Sequence, residues 1–129
     1  PLFSLLAAPR RARTTVDDSL WVKILDVPRA LEGREYSAPV SVVVRVHDPT
    51  DGTFSPWRFY LSPEGSSVTE TDTEPQVEID IEDLGACYMG RSRFMALGAA
   101  GRLHGDTTTL RALDTAFTWS PQPWCPEVF

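Results

Sequence analysis

Apolar and polar positions alternate with a period of two over the first two-thirds of the chain, and the last third switches to helical spacing. Residues 20–26 form the first alternating run, with Leu20, Val22 and Ile24 on one face and Trp21, Lys23 and Leu25 on the other. Asp26 then predicts an N-cap for a short helix, with Pro28 in its first turn and Ala30, Leu31 and Glu32 continuing it. Residues 41–47 predict a strand in which Val42, Val44 and Val46 alternate with Val43, Arg45 and His47. Asp48-Pro49-Thr50-Asp51-Gly52 is a turn cluster, and Trp57, Phe59 and Leu61 then alternate with Arg58 and Tyr60. After the turn at 62–65, residues 66–72 read as a polar, partly exposed strand. Val77, Ile79 and Ile81 alternate with Glu78, Asp80 and Glu82 as a half-buried one.

Helical spacing takes over at residues 81–89, ending at Gly90, and again at 93–100, ending at Gly101. Thr107 to Thr109 predict the cap of a last helix carrying Leu110, Leu113, Ala116 and Phe117. Residues 1–8 read as the end of a helix stopped by Pro9, followed by a basic connector at Arg10, Arg11 and Arg13. The expected class is α+β: a mostly antiparallel sheet of about five strands with helices packed on one face.

The last thirteen positions break the pattern. Phe117, Trp119, Trp124, Val128 and Phe129 crowd them, stiffened by Pro121, Pro123 and Pro126. Chain ends are ordinarily polar and frayed. Buried rings would carry the main-chain carboxylate of Phe129 to a fixed place, where desolvation would raise its pKa and make it a candidate base. The plainer reading is a hydrophobic plug that seals the domain.

Length and composition narrow the picture. One domain is the natural count for 129 residues, long enough for a real core. A net charge of −6 makes nucleic acid a poor partner and a cationic ligand a better one. No run approaches the about 20 apolar residues of a membrane span. No basic segment precedes the apolar residues 1–8, so they do not read as a signal peptide. The chain lacks a starting Met and reads as a piece of something longer. Cys87 and Cys125 read as free thiols of a cytoplasmic protein.

Self-contained chemistry is sparse. His47 and His104 have no Cys or His at ligand spacing, so no metal site is expected. His47 reads as a strand-edge side chain and His104 as a loop residue. Gly98 and Gly101 do not follow a strand as a phosphate loop requires. Cys87 sits on an apolar helix face and reads as a core thiol. Eight carboxylates, from Glu64 to Asp83, occur with no Lys or Arg between Phe59 and Gly90. They form either a solvated strand face or an acidic rim that attracts amines. Trp21, Trp57, Phe59 and Tyr60 either line an apolar cavity or fill the core.

Several stretches together carry a resemblance. Asp17-Asp18-Ser19-Leu20-Trp21-Val22-Lys23-Ile24-Leu25-Asp26-Val27-Pro28-Arg29-Ala30-Leu31, continuing to Tyr36, is similar to the segment D-x-L-W-V-R-L-x-D-V-P-x-A-L-x-x-R-x-Y. Asp83-Leu84-Gly85-Ala86-Cys87-Tyr88-Met89-Gly90 is similar to D-L-G-A-L-Y-L-G, and residues 96–104 to A-L-A-A-A-G-R-V. The tail from Pro123 to Phe129 is similar to P-W-C-x-x-x-F. In this order the motifs resemble the enhanced intracellular survival (Eis) type of bacterial acetyltransferase. Cys87 in place of Leu and Lys23 in place of Arg are conservative departures.

The resemblance implies a domain of sterol-carrier-protein fold at residues 17–129, with residues 1–16 as the end of a preceding GCN5-related acetyltransferase (GNAT) region and linker. It implies that acetyl-CoA binds in the N-terminal GNAT regions of the parent chain and that this chain binds no cofactor itself. It implies that the Phe129 carboxylate reaches the acetyltransfer site, as base for an attacking amine or as its holder, while an acidic Tyr partner lies outside this chain. Trp21, Trp57, Phe59 and Trp124 would line the substrate pocket or an apolar cavity. Family members acetylate amines, including those of aminoglycosides and lysines, and assemble into oligomers. A second class of function stays open: a lipid or sterol carrier whose tunnel is lined by Trp21, Trp57, Phe59, Met89, Phe94 and Met95.

Overall fold

The computed structural model describes residues 7–8, 21–50, 52, 56–90 and 92–120. The predicted helix end at 1–8, apart from Ala7 and Ala8, the basic connector and the boundary at 16/17 lie outside them, as do Trp124, Cys125 and Phe129.

Helix α1 spans Val27–Glu32, and Asp26 caps it as predicted by accepting a hydrogen bond from the Arg29 amide at 3.0 Å. Strand β1 (Val40–His47) leads to β2 (Pro56–Leu61) and β3 (Ser67–Glu70) as an antiparallel meander. The chain then crosses back to lay β4 (Val77–Asp80) parallel to β1 on its other side. Gln76 pins that return twice. Its amide donates to the Val43 carbonyl at 2.8 Å, and its side-chain oxygen accepts from the Val43 amide at 3.1 Å. Helices α2 (Ile81–Tyr88) and α3 (Phe94–Ala99), strand β5 (Leu103–Gly105) and helix α4 (Thr107–Phe117) follow. The sheet order is β3-β2-β1-β4-β5, with β1/β4 the parallel pair. This is the α+β class expected, five-stranded and mostly antiparallel.

One face of the sheet carries the core. Val42, Val44, Phe59, Leu61 and Ile79 join Leu31, Leu84, Cys87, Phe94, Leu113 and Phe117 from the four helices in a single buried cluster. The other face keeps Arg45, His47, Arg58, Tyr60 and Glu78 at least partly in water. This division follows the period-two alternation of β1 and β2.

Three local expectations are corrected. Residues 21–26 form no strand: Ile24 is buried and Leu25 exposed, no strand edge pairs with them, and Trp21 stands in solvent rather than in a cavity or the core. Instead the Val22 carbonyl lies against Gly85 of α2. The place in the sheet goes to β5, which makes His104 a strand residue rather than a loop residue. The cap of α4 is Asp106, not a threonine, because its carboxylate accepts from the amides of Thr108 and Thr109 at 2.9 and 3.0 Å.

Candidate functional site at the root of the tail

Helix α4 ends at Phe117, and Thr118 leaves it in an extended conformation, so this is where the tail begins. The last four carbonyls of a helix have no partner within it. Here each is satisfied. Thr118 donates to the Asp114 carbonyl through its amide at 3.1 Å. The Ser37 hydroxyl donates to the Thr115 carbonyl, and the Ser37 amide to that of Ala116 at 3.1 Å. Arg34 Nη2 donates to the Phe117 carbonyl at 2.7 Å.

Arg34 is held inside an aromatic box. Its guanidinium carbon lies 4.4 Å from the ring centre of Phe117, 5.3 Å from Tyr36 and 5.6 Å from Tyr88. Burial pulls its pKa down, against the opposing influence of Tyr36, Tyr88 and Cys87. Its Nη1 is buried without a hydrogen-bond partner. Tyr36 is itself fixed, donating to the Leu31 carbonyl at 2.8 Å and meeting Phe117 edge-on at 5.3 Å. Burial raises the pKa of the Tyr36 hydroxyl.

Asp114 couples α4 to α3. Arg93 stands at the N-cap of α3 and supplies no side-chain cap. The Asp114 carboxylate does so from outside, accepting from the amides of Phe94 at 2.7 Å and Met95 at 3.3 Å. Arg93 in turn donates to the Thr118 hydroxyl at 2.7 Å. Around this junction lies an open groove of about 740 Å³, lined by Arg93, Met95, Arg111, Asp114, Thr118 and Trp119 among others.

A second pocket, about 370 Å³, lies on the polar side of the sheet and brings His47 and His104 together with Glu78, Asp80, Asp83 and Arg102. Sequence spacing gave no hint of this, because the two histidines come from the strands on either side of β4. Arg45 pairs with Glu78 at 2.7 Å, and the buried Asp83 with Arg102 at 2.8 Å. Among the described residues no group of three or more His, Cys, Asp or Glu could hold a metal ion.

Residues 27–126 match the family model described as a sterol carrier protein domain. The chain belongs to that family.

This sterol carrier protein domain is 37% identical over 131 residues to an uncharacterized N-acetyltransferase of Streptomyces avermitilis, covering 97% of this chain and 31% of that protein. It is 39% identical over 119 residues to the N-acetyltransferase Eis of Mycobacterium tuberculosis, covering 91% of this chain and 29% of that protein. Its structure superposes on the crystal structure of Eis1 from Mycobacterium abscessus with a TM-score of 0.80 at 30% identity, over 100% of this chain and 33% of the other. The chain thus spans about a third of the length of these relatives and corresponds to the sterol-carrier-like part of Eis-type proteins.

Of the residues that the sequence singled out, Phe129 and Trp124 lie outside the described part of the domain. Phe59 is in the core, Trp57 packs against its edge, and Trp21 is 83% exposed. Neither pocket is lined by any of these three. Arg34, Ser37 and Asp114 escaped periodicity because each acts on a distant element. The one trace of Arg34 is the R-x-Y that closes the first motif.

Proposed function

We propose that this domain completes an acetyl-CoA-dependent N-acetyltransferase, forming part of the amine pocket and supplying the main-chain carboxylate of Phe129. The acetyl-CoA site and the acidic tyrosine belong to the N-terminal GNAT regions of the parent chain, and the parent is a cytoplasmic oligomer. The observation that carries this reading is the similarity to N-acetyltransferases over 97% of the chain.

The chemistry suits a carboxylate. An ammonium must lose its proton before its nitrogen can attack a thioester carbonyl. A carboxylate within about 2.6–3.2 Å, or one water away, accepts that proton. Prolines at 121, 123 and 126 limit the tail's freedom and reduce the entropy lost in holding that geometry. The net charge of −6 favours approach of aminoglycoside- or lysine-like cations.

The test is removal of Phe129 from the full-length protein, alongside extension of the chain past it. Turnover falls by about 10²–10⁴-fold, the usual contribution of a positioned base, while the melting temperature changes little. Wild-type turnover in either variant refutes the base role. The 129-residue chain alone transfers no acetyl group.

A further inference from the structure

We infer that Arg34 is a positioning residue for the C-terminal tail, fixing where the chain leaves α4 and hence where the Phe129 carboxylate can reach. The inference rests on the function proposed above for that carboxylate.

Two motifs and the end of α4 meet at this one side chain. Arg34 and Tyr36 close the first motif, Tyr88 belongs to the D-L-G-A-C-Y helix, and Phe117 is the last helical residue before the tail. The three rings surround the guanidinium at 4.4–5.6 Å, and its Nη2 donates to the carbonyl at which α4 stops. Ser37, three residues on, holds the two preceding carbonyls. The short stretch 34–37 therefore takes over three of the four free carbonyls of a helix some eighty residues later in the chain. A helix end held this way cannot fray, and the direction of the next residue is set with it.

The cost of the arrangement points the same way. A half-buried guanidinium with Nη1 buried and unpartnered is an expensive way to fill space beside the core. Apolar residues of similar volume commonly do so at equal or better stability. What Arg adds over an apolar residue is a rigid, directional donor. It is aimed at the root of the tail. A misplacement of about 1 Å at a reacting group can cost about 10²-fold in rate, even when it originates far from the chemistry.

The experiment uses the full-length protein and the variants Arg34→Met and Arg34→Lys beside deletion of Phe129. Three readouts are followed: kcat, KM for acetyl-CoA, and hydrogen exchange of residues 118–129. Arg34→Met is expected to lower kcat by about 10–100-fold, to leave KM for acetyl-CoA within about twofold, and to speed exchange across the tail while β1 and β4 stay protected. Arg34→Lys keeps the charge without the planar fork and recovers only part of kcat. A purely structural role would lower the melting temperature and leave kcat of the folded protein and exchange of the tail unchanged, which overturns the inference. If Arg34→Met does not fold, Arg34→Lys carries the test, and wild-type kcat together with wild-type tail exchange overturns it. If deletion of Phe129 leaves turnover intact, the base role fails, and tail exchange alone then decides for or against Arg34.

Discussion

Cys87 is turned into the core by α2, and burial, followed by the charges of Asp114 and Asp83, pushes its thiol up to about 12. The thiolate is the nucleophile, so a thiol held neutral at physiological pH is inert. In a Cys125→Ser background, iodoacetamide at pH 8 is expected to modify Cys87 only after denaturant is added. A rate in native buffer close to that of free cysteine would contradict the burial. The same shift has a consequence for stability. An acid whose folded pKa lies above its unfolded value binds more protons in the folded state, so the stabilisation is fully present below pH 9. It is lost as pH rises through about 12. Tyr36, also raised by burial, adds a loss in the same direction. Urea midpoints measured from pH 8 to pH 11 should fall, and a Cys87→Ala variant should fall less steeply.

Helix α2 comes close to the irregular segment at 21–24 where Gly85 faces Val22. A Cβ at Gly85 would stand 2.7 Å from the Val22 carbonyl oxygen, and neither backbone can yield cheaply. Gly→Ala inside a helix ordinarily gains about 0.5–1 kcal/mol. Here Gly85→Ala should instead cost about 1–3 kcal/mol, the range for overpacking a filled site. Denaturant midpoints with unchanged slopes would measure it, and a stabilised variant would mean that the two elements do not touch. This contact ties the first motif to the second, and it explains how residues 21–26 misled. Local alternation sorts side chains onto two faces, and it set Ile24 opposite Trp21 and Leu25, but the aromatic character of Trp21 suggested a cavity or core place that it does not take. Alternation does not read what the backbone pairs with. Strands β1, β2 and β4 were legible because burial and pairing coincide there. Strand β5 was not, because three residues with one buried side chain, Leu103, carry no period. The groups around α4 were illegible for a different reason: the Arg34–Phe117 hydrogen bond spans 83 residues, a separation at which no local pattern operates.

At the scale of the whole molecule, a sterol-carrier fold raises the question of a lipid tunnel. The side chains proposed to line one do not share a space. Phe59 and Phe94 are fully buried in the same cluster as Leu84 and Leu113, Met95 faces the open groove, and Trp21 stands in solvent. The two grooves carry charged groups, Arg93, Arg111 and Asp114 in one and Glu78, Asp83 and Arg102 in the other, which suits neither to an acyl chain. Titration of the domain with a fluorescent sterol or fatty acid should therefore show no saturable binding. Saturable one-to-one binding by the wild-type chain would reinstate the carrier reading. Phe59→Ala sharpens the comparison. It removes a ring from the centre of the core at a cost of about 3–5 kcal/mol, and an apolar cavity made this way can stay dry and take up a small apolar probe. If the variant binds such a probe while the wild type does not, the apolar interior is filled by its own side chains. The fold then acts as a rigid frame for the root of the tail.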